Sequence, residues 1–110
     1  MHAKKLALMI REMALDKKAE EPLVLDVAKL SNIGRYFLLT HGNSDRQVRA
    51  IAENIIDKMK EAGVPVWHVE GLEEGRWVLL DYGSVIAHIF HRATREFYAL
   101  ERLWGEAKRL

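Results

Sequence analysis

"GRWVLLDYGSVIAHIFH", Gly75 to His91, is the stretch on which the fold turns. Two apolar runs flank Tyr82-Gly83, and Gly83 supplies the positive φ that a two-residue hairpin loop wants. With that loop Asp81 faces Ser84, Leu80 faces Val85, Leu79 faces Ile86, Val78 faces Ala87 and Trp77 faces His88. Side chains alternate along a strand. Val78, Leu80, Val85, Ala87 and Ile89 therefore share one face, and Trp77, Leu79, Ile86, His88 and Phe90 the other, with Asp81 and Ser84 at its tip. Both faces are apolar, so both need cover.

The first face is compact and β-branched, suited to a long helix. "NSDRQVRAIAENIIDKMKEAGV" supplies one: Val48, Ile51, Ala52, Ile55 and Met59 form a stripe at helical spacing. Ser44 stands at the N-cap with Gln47 three residues on, a capping-box pattern, and Gly63 suits the residue after the C-cap. An amphipathic helix over about 3–18 carries Leu6, Met9, Ile10 and Met13, and Pro22 ends that pattern. "PLVLDVA" sets Leu23, Leu25 and Val27 on one side, a half-buried strand. "RYFLLTHG" is a second strand and "VPVWHVEG" a third. Ala93, Phe97, Leu100, Trp104 and Ala107 step by four and three along one closing helix. The order α-β-β-α-β-β-β-α gives an α/β (α+β) fold with a mixed five-stranded sheet and flanking helices. The strand–helix–strand passage favours a right-handed crossover and one parallel pair.

The second face carries two large aromatics and a histidine beside an acid. Either the first or last helix covers it, or a partner does, for tryptophan is frequent among interface anchors. A register slip of one residue would exchange the two faces.

At 110 residues the chain is expected to form one domain, 1–110, with a real core. Lys+Arg 17 against Asp+Glu 16 leaves +1, which argues against bulk electrostatic binding to DNA or RNA. The absence of cysteine excludes disulfides, thiol catalysis and cysteine zinc sites, and fits a reducing interior. The apolar run after Lys4 and Lys5 is interrupted at Arg11 and Glu12, and no stretch approaches a membrane span. The expectation is a cytoplasmic protein without a membrane partner.

"HGNSDR" places Gly-Asn-Ser between a strand and a helix N-terminus, where amides can hold phosphate. Nucleotidyltransferases use a similar turn, but they also need paired carboxylates to hold metal. Glu70, Glu73, Glu74 and Asp81 are spread over a turn and a separate strand, so Ser44 reads better as a cap. Nucleotide binding at Gly42–Arg46 stays as the alternative. "HVE" at 68–70 matches half of a zinc-deaminase motif whose cysteines cannot exist here. His88 and His91 point to opposite faces and cannot share a metal locally. No catalytic set, metal site or cofactor motif assembles, so the chain reads as a binding protein and not an enzyme.

"LDVAKLSNIGRYFLLTHGNSDRQVRAIAENI", "VEGLEEGRWVLLDYGSVIAHIFH" and "REFYALERLWGEA" closely resemble the Iojap-like ribosomal silencing factors of bacteria and organelles, from about Lys5 to Ala107. The resemblance implies a nucleotidyltransferase-like fold without catalytic carboxylates. It implies binding to the large ribosomal subunit on a ribosomal protein at its small-subunit-facing surface, opposition to subunit joining, and lower translation when nutrients are short. Signature positions of the family fall on Gly42, Ser44, Arg46, Gln47, Glu70, Gly71, Trp77, Asp81, Tyr82, Gly83, His88, Phe90, Tyr98, Leu103 and Trp104. Ser44, Gln47 and Gly83 take structural roles in this reading. Trp77, Leu79, Asp81, Tyr82, His88 and Phe90 are the partner-binding candidates, and Phe97, Leu100 and Trp104 are assigned to packing. Asn43 and Ser84 depart from the family's threonine or small residue and its acid. Self-association as a homodimer through the second face is the other use for that surface.

Overall fold

A strand with no polar face has to be buried on both sides, and "YFLLTHG" is such a strand. The computed structural model describes residues 2–30, 32 and 34–110. Along the chain run α1 (Ala3–Leu15), β1 (Glu20–Asp26), β2 (Tyr36–Gly42), α2 (Asp45–Glu61), β3 (His68–Glu70) and β4 (Trp77–Asp81). Then come β5 (Val85–His91), α3 (Arg92–Tyr98), α4 (Leu100–Leu103) and β6 (Lys108–Arg109). The sheet order is β3-β4-β5-β2-β1-β6. β2 and β5 pair in parallel from Tyr36↔Val85 to Gly42↔His91, and the remaining pairs are antiparallel. The mixed α/β class stands. The expected five strands become six, because Lys108 and Arg109 pair with Asp26 and Leu25.

The hairpin register differs from the sequence reading by two residues. Trp77 faces Phe90, Leu79 faces His88 and Asp81 faces Ile86. The loop is Gly83-Ser84: Tyr82 N–H donates to the Val85 carbonyl at 2.9 Å, and Ser84 N–H turns back to the Tyr82 carbonyl at 3.1 Å. Gly83, at φ +83°, sits at the centre of that γ-turn. Its N–H donates to Asp81 Oδ1 at 2.7 Å, so the acid holds the loop shut. A slip of two preserves every face, where a slip of one would have exchanged them.

One face of the sheet carries Val78, Leu80, Val85, Ala87 and Ile89, packed in a single core with Leu6, Ala7 and Ile10 of α1 and the whole α2 stripe. Val48, Ile51, Ile55 and Met59, fully buried in that stripe, each contribute about 1.5–3 kcal/mol of transfer free energy. β1 is covered on both sides, not half-buried: Val24 joins this core while Leu25 and Val27 belong to the opposite one. No helix among the described residues is long and apolar enough to cross a membrane.

Two sequence expectations fail at the ends of the fold. β3 spans only His68–Glu70, because the backbone before it is irregular. The single closing helix is two short ones, broken at Ala99, which adopts φ +47° and ψ +49°. That left-handed residue swings the stripe off its line. Leu100, Trp104 and Ala107 stay against the sheet, but Phe97 is 81% exposed.

The cap of α2 also fastens α1. Gln47 N–H donates to Ser44 Oγ at 3.0 Å, and Gln47 Oε1 accepts from Asn43 N–H at 2.8 Å. Its Nε2 reaches the carbonyls of Lys17 and Lys18 just past α1. Ser44→Ala is expected to cost about 1 kcal/mol, and Gln47→Ala about 2 kcal/mol, since three backbone partners lose their bonds together. Urea denaturation monitored by circular dichroism measures both, and equal costs would contradict the fastening role.

Candidate functional site

The second sheet face is where the sequence reading sought a partner site, and the chain covers much of it itself. Leu25, Val27, Phe37, Leu39, Ile86 and Phe90 form a second core, with Trp77, Leu79, Leu100, Trp104 and Ala107 packed against it. Aromatic edges build its middle. Trp77 lies 5.0 Å from Phe90 and 5.0 Å from Tyr98, and Phe37 lies 5.1 Å from His88 and 5.3 Å from Trp104, by ring centroids. The last segment of the chain is the cover.

This placement divides the partner-binding candidates. Phe90 and His88 are buried beneath the chain's own C-terminal segment. Tyr82 is buried on the opposite side, in the core under α1 and α2, with its hydroxyl unpartnered and burial pushing its pKa up to about 12. The expectation of an open face at His88 and Phe90, and of Tyr82 as a contact in the hairpin loop, is therefore corrected. Trp77, Leu79 and Asp81 are half-buried and form a rim.

His88 is held as a neutral ring. Trp77 Nε1–H donates to His88 Nδ1 at 3.1 Å, so the ring proton sits on Nε2, which is buried with no hydrogen-bond partner. Burial holds its pKa down at about 4, against an ordinary 6.5. A second proton would have to displace the indole.

Beyond the rim lies a surface the sequence reading missed. Phe97 is 81% exposed, Tyr98 53% and Leu103 73%. Phe97 meets Tyr98 edge-on at 5.1 Å and Tyr98 meets Trp77, so aromatic surface runs from the sheet rim onto α3.

A buried arginine fixes α3 on the sheet. Arg95 donates from Nη1 to the Glu21 carbonyl at 2.9 Å, the Glu20 carbonyl at 3.4 Å and His41 Nδ1 at 2.9 Å, and from Nε to Glu101 Oε1 at 3.3 Å. Guanidinium only donates, so His41 Nδ1 accepts and its Nε2–H goes to Glu20 Oε2 at 3.1 Å. At the start of α3, His91 Nδ1 accepts from Ala93 N–H.

At the start of α2 two of the backbone amides are already engaged. Those of Asn43 and Gln47 are bonded within the cap, and the Gln47 side chain lies against Gly42, where a Cβ would come within 3.1 Å of it. Among the described residues no three His, Asp or Glu side chains are placed to hold a metal ion.

Comparison with known proteins gives a consistent answer. The family described as ribosomal silencing factor during starvation matches residues 1–110. A ribosomal silencing factor of Bacillus subtilis is 51% identical over 92 residues, 84% of this chain and 78% of the relative. A crystal structure of a protein from Chromobacterium violaceum superposes with a TM-score of 0.92 at 37% identity, covering 96% of this chain and 88% of that one. A more distant mouse protein, named mitochondrial assembly of ribosomal large subunit protein 1, is 27% identical over 87% of this chain and 43% of its own length.

The neutral His88 sets a pH dependence. Unfolded, the ring takes a proton as pH falls through 6.5; folded, it resists until about 4. Its contribution is thus fully present above pH 6.5 and is lost on the way down to 4, amounting to about 3 kcal/mol at 1.36 kcal/mol per unit. Urea unfolding between pH 7 and 4.5 should show this decline. His88→Leu should flatten it, and an unchanged pH slope in the variant would refute the assignment.

Proposed function

This chain belongs to the ribosomal silencing factor family, and we propose that it binds the large ribosomal subunit through a ribosomal protein on the face that meets the small subunit, blocking subunit association and so repressing translation when nutrients are limiting. The action is occlusion, without chemistry or cofactor, by residues 1–110 working as one unit in the cytoplasm. The observation that carries a binding role is the exposed aromatic surface of Phe97 and Tyr98, continuous with the half-buried Trp77. Large rigid aromatics lose little conformational freedom on docking and dominate interface energetics.

Glu73 and Glu74 are exposed on the β3–β4 turn, and Asp81 stands at the far end of β4. Ribosomal proteins are commonly basic, so these carboxylates would speed encounter and reject acidic partners, while the aromatics set the off-rate. The mouse relative's name ties that protein to large-subunit assembly, in keeping with the same partner class. Nucleotide binding at Gly42–Arg46 is disfavoured by the Gln47 side chain, which lies against Gly42 and ties the turn to the end of α1. The same aromatic surface would serve a homodimer, in which case docking and self-association compete.

Phe97→Ala combined with Tyr98→Ala is the direct test. Both side chains are more than half exposed, so stability should change by no more than about 0.5 kcal/mol each. Co-sedimentation with purified large subunits should fall by about 30-fold in affinity, the loss of one hot spot of about 2 kcal/mol. Wild-type co-sedimentation by a folded double variant would remove this surface from the interface. Trp77→Ala is a less clean probe, since Trp77 also packs on Phe90.

A further inference from the structure

A cavity of about 700 Å³ lies at the carboxyl ends of β2 and β5, lined by residues that the ribosome-binding reading does not use. Its place in the topology is distinctive. β2 and β5 run parallel, yet the helices that follow them depart to opposite faces: α2 packs in the first core, while Arg95 and Tyr98 of α3 lie against His41 and Trp77 on the second. The crevice where such connections diverge is the general ligand position of sheets with parallel strands. The volume lies within the range of about 300–1,000 Å³ of small-molecule sites.

The lining selects the ligand. Four carboxylates face three guanidinium groups around His41, and the one apolar lining residue is Ala99. An apolar ligand would desolvate these charges without replacing their water. A polyanion would meet the carboxylates, and a simple cation would meet Arg95. Arg95 commits Nε and Nη1 to the protein, which leaves Nη2 as its free fork. On the other side Glu101 bonds through Oε1 alone, and its Oε2 is buried without a partner. Glu21, held at φ +46°, and Arg102 extend the two signs toward the opening. Within the lining Glu20 pairs with His41 and Arg92 with Glu96, so the charges short of a partner among the described residues are Arg95 Nη2, Glu101 Oε2, Glu21 and Arg102.

We propose that this cavity binds a small zwitterion of the α-amino acid class, its carboxylate on Arg95 and Arg102 and its ammonium on Glu101 and Glu21. Charge-assisted bonds at both ends give recognition that neither a diamine nor a dicarboxylate can match.

The test uses the whole chain. Each of the twenty free L-amino acids is screened by thermal shift at about 10 mM, which saturates a millimolar site, with putrescine and succinate as single-sign controls. Calorimetry then measures the strongest responder. We expect at least one amino acid to bind with a dissociation constant of about 1 mM or tighter, and neither control to bind. Arg102→Gln and Glu21→Gln, at exposed positions, should each weaken it by about tenfold, the loss of one charge-assisted bond. Glu101→Gln should do the same if it folds. The proposal is overturned by the absence of saturable heat with every amino acid, by equal binding of putrescine or succinate, or by unchanged affinity in both exposed variants.

Discussion

The parallel pairing of β2 with β5 is the constraint from which the rest of the molecule follows. Every residue of β2 is buried, so the pair cannot lean on water from either side. Parallel strands are joined only by a long connection, which here runs through β3 and β4 after its one helix, α2. Its stripe of Val48, Ile51, Ala52, Ile55 and Met59 then has one place to go, against Val85, Ala87 and Ile89. α1 completes that layer. What remains for the opposite side is the chain after His91, and that segment is short.

The second cover is accordingly made by different physics. α3 and α4 are too brief to be stable alone, since helices shorter than about 12 residues are marginal in water. They are pinned at one end by the Arg95 hub and at the other by the β6 pairing. Burying a guanidinium is costly unless its donors are met. Here carbonyls of β1, the His41 ring and Glu101 meet those of Nε and Nη1, so one side chain joins α3 to two strands and to α4. A layer held by a polar hub leaves hydrophobic residues over, and Phe97, Tyr98 and Leu103 are those residues.

How much of this was legible from residues alone divides along the range of the interactions. α2 was readable in full, because its stripe, its cap and its terminal glycine are local signals. The two faces of the β4–β5 hairpin were readable because alternation is local too, although the loop fell on Gly83-Ser84 instead of Tyr82-Gly83. The break at Ala99 carries no glycine or proline to announce it. Arg95, which anchors the helix before it, bonds carbonyls more than seventy residues earlier in the chain, and no window along the sequence contains those contacts. β6 is two residues long and exists through its neighbour. For the same reason the partner-binding candidates Phe90 and His88 looked available, and the outward turn of Phe97 was missed.

The sheet ends in its two smallest members, three residues in β3 and two in β6. An outer strand offers unpaired amides and carbonyls to any passing chain, and length is what makes that offer attractive. Here there is too little backbone on either flank for a foreign strand to zip onto, so lateral growth into larger sheets or fibrils has no template.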